Sequence, residues 1–206
     1  MKVLDSLQAE VKKIIKNDPA HDFEHIMRVY KNAQKICKKE KANEKLVLSA
    51  ALLHDIISYP KSDKRSKMSS IESAKKSQSM LKKYDFSDEE IQIISDAIRD
   101  HSFSQKKIPD TMEGKILQDA DRLDALGAIG IARVFATSGS LKRPFYNIDD
   151  PFCKKRNPDD NIWAVDHFFK KLLTLESLMN TKSGKLEAKK RTGILKKFLK
   201  QLKDEI

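Results

Sequence analysis

The stretch 47-VLSAALLHDIISYP-60 decides how the chain is read. Its first seven residues carry one hydroxyl and no charge, the pattern of a helix that disappears into a core. His54 and Asp55 then stand side by side ahead of two isoleucines. Burying an imidazole and a carboxylate among apolar residues is costly unless each has a partner. Neighbours on an ideal helix point about 100° apart. Both side chains therefore reach one point only beyond a helix end or beside a distorted last turn, and Ser58-Tyr59-Pro60 supplies such an end. A core histidine satisfied by a backbone carbonyl, with Asp55 acting as a cap, is the plain alternative on this stretch alone.

The segments around it repeat with helical spacing. Residues 3–16 place Val3, Leu7, Val11, Ile14 and Ile15 on one face, and the chain breaks at Pro19. Asp22 is the expected N-cap of a second helix reaching about Lys39, with Ile26, Val29, Ala33 and Ile36 on its apolar face. A third helix is expected from about Asn43 to Ile57. Ser69 with Glu72 and Ser87 with Glu90 read as capping boxes, opening helices to about Tyr84 and Arg99. Residues 113–138 read as one long helix or a kinked pair with Gly127 and Gly130 inside. Residues 138–158 are a long loop, expected to serve as a lid or a site wall. Two further helices are expected over 159–180 and 185–204. Convincing strand alternation and internal repeats are absent. The expected architecture is an all-α bundle of about seven to nine helices in a single domain, 1–206.

Composition narrows the class. The 206 residues are 39% hydrophobic and 34% charged, which suits a folded globular domain. The longest apolar runs fall far short of the ~20 residues of a membrane span, so no membrane partner is expected. The acid-bearing, amphipathic N-terminus does not read as a secretory signal. Cys37 and Cys153 are far apart and form no paired thiolate motif, so a reducing cytoplasm is the expected location. The formal net charge of +11 and pI of about 9.5 favour anionic partners, although a lysine-rich surface gives the same numbers.

Few residues carry chemistry. The histidines are His21, His25, His54, His101 and His167. His21 and His25 stand four apart, a familiar ligand spacing on a continuous helix. With Asp22 as N-cap the two need not point the same way, so one of the pair reads as a ligand and the other as surface. "KILQDADRLDALGAIG" sets Asp119, Asp121 and Asp124 in an apolar helix. Acids are almost never buried unless they are paired or bind a metal. The spacing is not a calcium loop, because Asp124 occupies the place of the required glycine.

His25, then His54-Asp55, then Asp121, resemble the H…HD…D pattern of the HD-domain metal-dependent phosphohydrolases. The wording around them is similar too: "HDFEHIMRV", "ALLHDI" and "DADRLDALGA". The resemblance covers about residues 20–135, with the C-terminal helices of 159–206 packed on that core. It is strongest to small stand-alone bacterial HD hydrolases, some of which are nucleoside triphosphate pyrophosphohydrolases.

The resemblance implies the HD-domain fold and one divalent cation held by His25, His54, Asp55 and Asp121. That mixed nitrogen and oxygen set suits Mn, Fe, Ni, Co, Zn or Mg. It implies hydrolysis of a phosphorylated small molecule, a nucleotide, by water activated at the metal. His101 resembles an extra histidine of two-metal relatives and is expected to touch substrate phosphate or act as an acid. Asp124 is expected to orient water, act as base, or hold a ligand from behind; Glu72 is a rival base that its capping box would explain away. Arg28 and Arg65 are the expected phosphate contacts. His167 reads as structural, and Phe145, Tyr146, Phe152 and Trp163 as packing residues or base-stacking ones. Pyrophosphohydrolysis of nucleoside triphosphates is the favoured reaction. Nucleotide monophosphatase or phosphodiesterase activity is the alternative within the fold. A ligand- or RNA-binding module with a structural metal is the alternative outside it, suggested by the basic C-terminal helix.

Overall fold

The computed structural model describes residues 2–15, 22–59 and 63–206, in which nine α-helices and three short 3-10 segments occur and no strand. The all-α expectation holds. His21 lies outside the described residues. The chain divides into two compact units, Met1–Asp121 and Arg122–Ile206.

In the first unit the helices are α1 (Lys2–Ile14), α2 (Phe23–Glu40), α3 (Glu44–Leu53), α4 (Ser69–Leu81), α5 (Asp88–Asp100) and most of α6 (Met112–Asp124). The centre is α3, which packs against α1, α2, α4 and α5. Every residue from Leu46 to Leu53 is buried. Such all-round burial is the reason α3 lacks a polar face. Burying each of its leucines contributes about 1.5–3 kcal/mol, enough to anchor a helix whose far end carries polar residues.

Side chains set the helix ends. Asp22 caps α2 by accepting a 2.7 Å hydrogen bond from the His25 amide, as its position predicts. Asn43 caps α3. Ser87 and Glu90 form the expected capping box on α5. The box expected at Ser69 and Glu72 is absent. Helix α4 starts behind Met68 without a side-chain cap, because the Glu72 carboxylate accepts the Tyr59 hydroxyl at 2.6 Å instead.

In the second unit the end of α6 is followed by α7 (Gly127–Ser140), α8 (Asp166–Lys170) and α9 (Lys182–Glu205). The kinked pair is the outcome, and Gly127 is the pivot with φ +71°. A Cβ at Gly130 would lie 2.2 Å from the Ala125 carbonyl oxygen, so that turn also admits only glycine. Gly127→Ala forces an L-residue into the left-handed region and is expected to cost about 1 kcal/mol in a urea unfolding curve.

The helix expected over 159–180 is shorter than its apolar spacing suggests. Only α8 and a 3-10 turn at Leu172–Thr174 form. The preceding segment is committed to other bonds. Ala164 and Val165 donate their amides to the Pro144 and Phe145 carbonyls at 3.0 and 2.8 Å. Asp166, fully buried, receives Arg156 at 2.5 and 2.7 Å and the Asp159 amide at 2.6 Å. The Arg156 guanidinium also lies 4.3 Å from the Trp163 ring, which gives Trp163 a packing role. Phe135, Phe168 and Phe198 form an aromatic core with ring centroids 5.7–6.3 Å apart, joined by Phe145 at 5.3 Å from Phe135. His167 bonds to Asp160 at 2.8 Å, a local tie at a half-buried position.

Candidate metal centre

The first unit brings four helix ends and turns to one place. Helix α3 stops at Leu53 and His54 becomes its C-cap. The His54 ring turns back, and its Nδ1 lies 2.8 Å from the Ala51 carbonyl oxygen. That contact makes Nδ1 the protonated nitrogen and leaves Nε2 facing forward. His101 repeats the device as the C-cap of α5, its Nδ1 2.6 Å from the Ile98 carbonyl. In both cases a histidine side chain satisfies a carbonyl in the last helical turn and aims its other nitrogen away from the helix.

The turn after His54 is fixed from behind. Ser73 on α4 accepts from the Ile57 amide and donates to the Ile57 carbonyl, both at 3.1 Å. Asp55 therefore leaves the helical path just where the adjacent-residue problem required a distortion. Asn32 on α2 donates to the Ala120 carbonyl at 3.2 Å, tying the helix that carries His25 to the residue before Asp121. Gln118 on α6 reaches the Asp100 and Lys107 carbonyls at 3.0 and 2.9 Å, next to His101.

The donor atoms lie close together. His25 Nε2 is 3.2 Å from His54 Nε2, 3.6 Å from Asp55 Oδ2 and 3.6 Å from Asp121 Oδ1. His54 Nε2 is 3.7 Å from the same Asp55 oxygen. The other oxygen, Asp55 Oδ1, faces His101 Nε2 at 3.8 Å. Ligands about 2.1 Å from one octahedral ion stand about 3.0 Å apart when adjacent and about 4.2 Å when opposite. The observed spacings fall inside that interval.

Charge agrees with geometry. Burial pushes the His54 imidazole below its ordinary value, and the neighbouring histidines add to this against the pull of Asp55 and Asp121. Burial by itself would raise Asp121, but the facing imidazoles outweigh it and keep the carboxyl below the ordinary value. Neutral imidazoles and ionised carboxylates are the protonation states that bind a divalent cation. With the His54 Nδ1 proton directed at Ala51, its Nε2 offers a lone pair to His25 Nε2, so a proton or a cation belongs between the rings. The two carboxylate oxygens beside them fit a cation. Two overlapping groups could hold one: His25, His54 and Asp121, and His54, Asp55 and His101.

The remaining residues expected at a site are Arg28, Arg65 and Asp124. Arg28 is half-buried on α2, one turn after His25. Arg65 is exposed, held by two hydrogen bonds to Asp63 Oδ2 at 2.8 and 3.1 Å, and its guanidinium lies 4.4 Å from the Tyr59 ring. Asp124 belongs to the second unit, where it is buried and pairs with Arg133 at 2.8 Å. Sequence reasoning missed the positioning residues Asn32 and Gln118. Their signal was a carboxamide at a position that the helical period assigns to the core.

The chain belongs to the HD domain family, whose profile matches residues 22–126. It is 34% identical to the uncharacterized protein YpgQ of Bacillus subtilis, covering 100% of this chain and 95% of that protein. The crystal structure of Bacillus subtilis YpgQ in complex with ADP superposes with a TM-score of 0.78 at 32% identity, covering 100% of this chain and 95% of that one. An HD-superfamily hydrolase from Bacillus thuringiensis superposes with a TM-score of 0.77 at 34% identity, covering 99% and 96%. Among the described residues no helix is long and apolar enough to cross a membrane.

Proposed function

We propose that the protein is a metal-dependent phosphohydrolase acting on nucleotides, and that its reaction is the pyrophosphohydrolysis of nucleoside triphosphates. The observation that carries this reading is the convergence of His25, His54, Asp55 and Asp121 donors within 3.2–3.7 Å of one another where contacts are measured. Membership of the HD family supports hydrolysis. The ADP complex of YpgQ supports a nucleotide.

In this reading His25, His54, Asp55 and Asp121 hold one divalent cation. Such an ion supplies Lewis-acid polarisation of a phosphoryl group and a lowered pKa for water beside it. The protein supplies the rest. His54 and Asp55 are fixed by the buried α3 helix and by Ser73, so the donor set is formed before substrate arrives. His101 presents Nε2 alone, since its Nδ1 is engaged with Ile98. Only when protonated on both nitrogens can it donate from that atom to a phosphate oxygen or hand a proton to a leaving oxygen. Arg28 and Arg65 are the proposed phosphate contacts. Asp63 holds Arg65 through Nε and Nη2, and among the described residues Nη1 remains for an anion. Asp124 is proposed to act through Arg133 rather than as a base.

A panel of triphosphates, monophosphates and cyclic dinucleotides, assayed with Mn and other divalent ions and with product identification, tests the reading. Pyrophosphate and a nucleoside monophosphate are expected. Release of inorganic phosphate alone would identify a monophosphatase, and opening of a cyclic diester a phosphodiesterase. Turnover of no ester with a metal bound would identify a binding module. His101→Gln is expected to lower kcat about 100-fold while KM changes little, the loss typical of one general acid.

A further inference from the structure

Helix α9 carries more positive charge than its fold needs. Residues 182–206 hold eight lysines and one arginine against three acids, a net charge of +6 out of the chain's +11. All eight lysines, Lys182, Lys185, Lys189, Lys190, Lys196, Lys197, Lys200 and Lys203, are exposed. Their positions are not scattered. At 100° per residue, Lys182, Lys185, Lys189, Lys196, Lys200 and Lys203 fall within a wedge of about 60°, and at 1.5 Å per residue they extend along about 32 Å of helix. An ordinary solvated helix intersperses glutamates at i±4, because like charges three and four apart oppose each other. Here Lys182–Lys185, Lys185–Lys189, Lys196–Lys200 and Lys200–Lys203 are such like-charge pairs. The acid within this span, Glu187, is bonded to Arg191 at 2.9 Å.

The adjoining face, centred about 80° around the helix from the lysines, is spoken for. Ala188, Thr192, Leu195 and Leu199 are buried, and Phe198 stacks on Phe168 and meets Phe135 edge-on. That occupancy decides between partners. A membrane-surface helix needs a free apolar face to insert. The apolar side chains that α9 exposes are Leu186 and Ile194, two turns apart, and the isolated terminal residue Ile206. Single-stranded nucleic acid is usually held by aromatic platforms, and the half-buried aromatic of α9, Phe198, is engaged with Phe135 and Phe168. A straight row of ammonium groups with no acid partner among the described residues matches a rigid rail of phosphates.

We propose that the α9 lysine row binds the phosphodiester backbone of duplex nucleic acid without regard to sequence. This proposal stands whether or not the proposed hydrolysis holds.

The test is fluorescence anisotropy of the full chain with two labelled DNA duplexes of unrelated sequence across a salt series. Both duplexes are expected to bind alike, with log K against log salt falling at a slope of about −5 for six phosphate contacts. K185Q/K189Q/K196Q is expected to shallow the slope by about 2 to 3 and weaken binding at least tenfold at about 0.1 M salt. The arginine counterpart K185R/K189R/K196R should retain binding. K31Q/K35Q/K38Q removes the same charge from exposed positions on α2 and should change the slope little. Circular dichroism confirms that each variant is folded. The proposal is overturned by absence of duplex binding at about 50 mM salt, where backbone contacts are strong. Equal losses in the α2 and α9 variants, tighter binding of a single strand, or binding of phosphatidylglycerol vesicles in place of DNA also overturn it.

Discussion

His54→Ala is expected to remove metal retention from the protein while leaving it folded. The imidazole sits at the hub of the cluster, 3.2 Å from His25 Nε2 and 3.7 Å from Asp55 Oδ2, and it belongs to both groups able to hold an ion. Its loss deletes a ligand and also the side chain that caps α3 through Ala51. Removing even a residue that only orients a ligand typically costs 10–100-fold in metal affinity, so loss of a ligand itself should cost at least about 100-fold. Metal content after dialysis and isothermal titration with Mn both read this out. Ser73→Ala provides the graded comparison. It keeps every donor atom but frees Ile57, and a fall in affinity of about tenfold is expected. A His54→Ala protein that still retains a full equivalent of metal would show that the ion, where present, lies elsewhere.

The second large effect is on stability. Arg156→Ala leaves the carboxylate of Asp166 buried with its charge uncompensated. Breaking a buried pair from one side costs about 3–5 kcal/mol, more than such a pair contributes by existing. For a chain of this length that corresponds to a fall in Tm of about 6–20 °C. The pH dependence follows from the direction of the shift. Burial would raise the Asp166 pKa, but Arg156, the Asp159 amide and the Cys153 thiol outweigh it, and the folded value lies below the ordinary 3.8. The unfolded chain therefore binds the proton more readily. The stabilisation is complete above the ordinary carboxyl range and is lost as pH falls through it toward the folded value. Asp166→Asn should flatten that acid limb, while Arg156→Ala should lower the plateau. Thermal unfolding measured from neutral pH downward separates the two.

The parts of the site governed by local rules were open to reading from residues alone. The Asp22 cap and the largely apolar α3 follow from residue type and spacing, whereas the expected run of that helix to about Ile57 stops at Leu53, where His54 becomes the C-cap. Spacing alone leaves one long helix or a kinked pair open over 113–138, and the left-handed φ of Gly127 decides for the pair. The errors arose where a long-range bond overrides a local pattern. Ser69 and Glu72 have the spacing of a capping box, yet Glu72 bonds to Tyr59, thirteen residues back in the chain. Phe168, Leu172 and Leu175 have a helical period because they share one buried face, but Arg156 and Asp166 hold their flanks in turns. Asp124 lies on α6 with Asp121 as its spacing predicts, but sequence distance does not announce its pair with Arg133. The convergence of His25, His54, Asp55 and Asp121 could be named only through resemblance to a family, since spacing does not give distances between helices.

The most direct test of the central claim is turnover by chelator-stripped protein titrated with Mn, followed by product analysis, with Asp121→Ala in parallel. The stripped protein is expected to show no hydrolysis, and restoration is expected to saturate near one ion per chain. Nucleoside triphosphate should yield monophosphate and pyrophosphate, and Asp121→Ala should show no activity at any Mn concentration that saturates the wild type. Hydrolysis that survives both stripping and the Asp121→Ala substitution would contradict it.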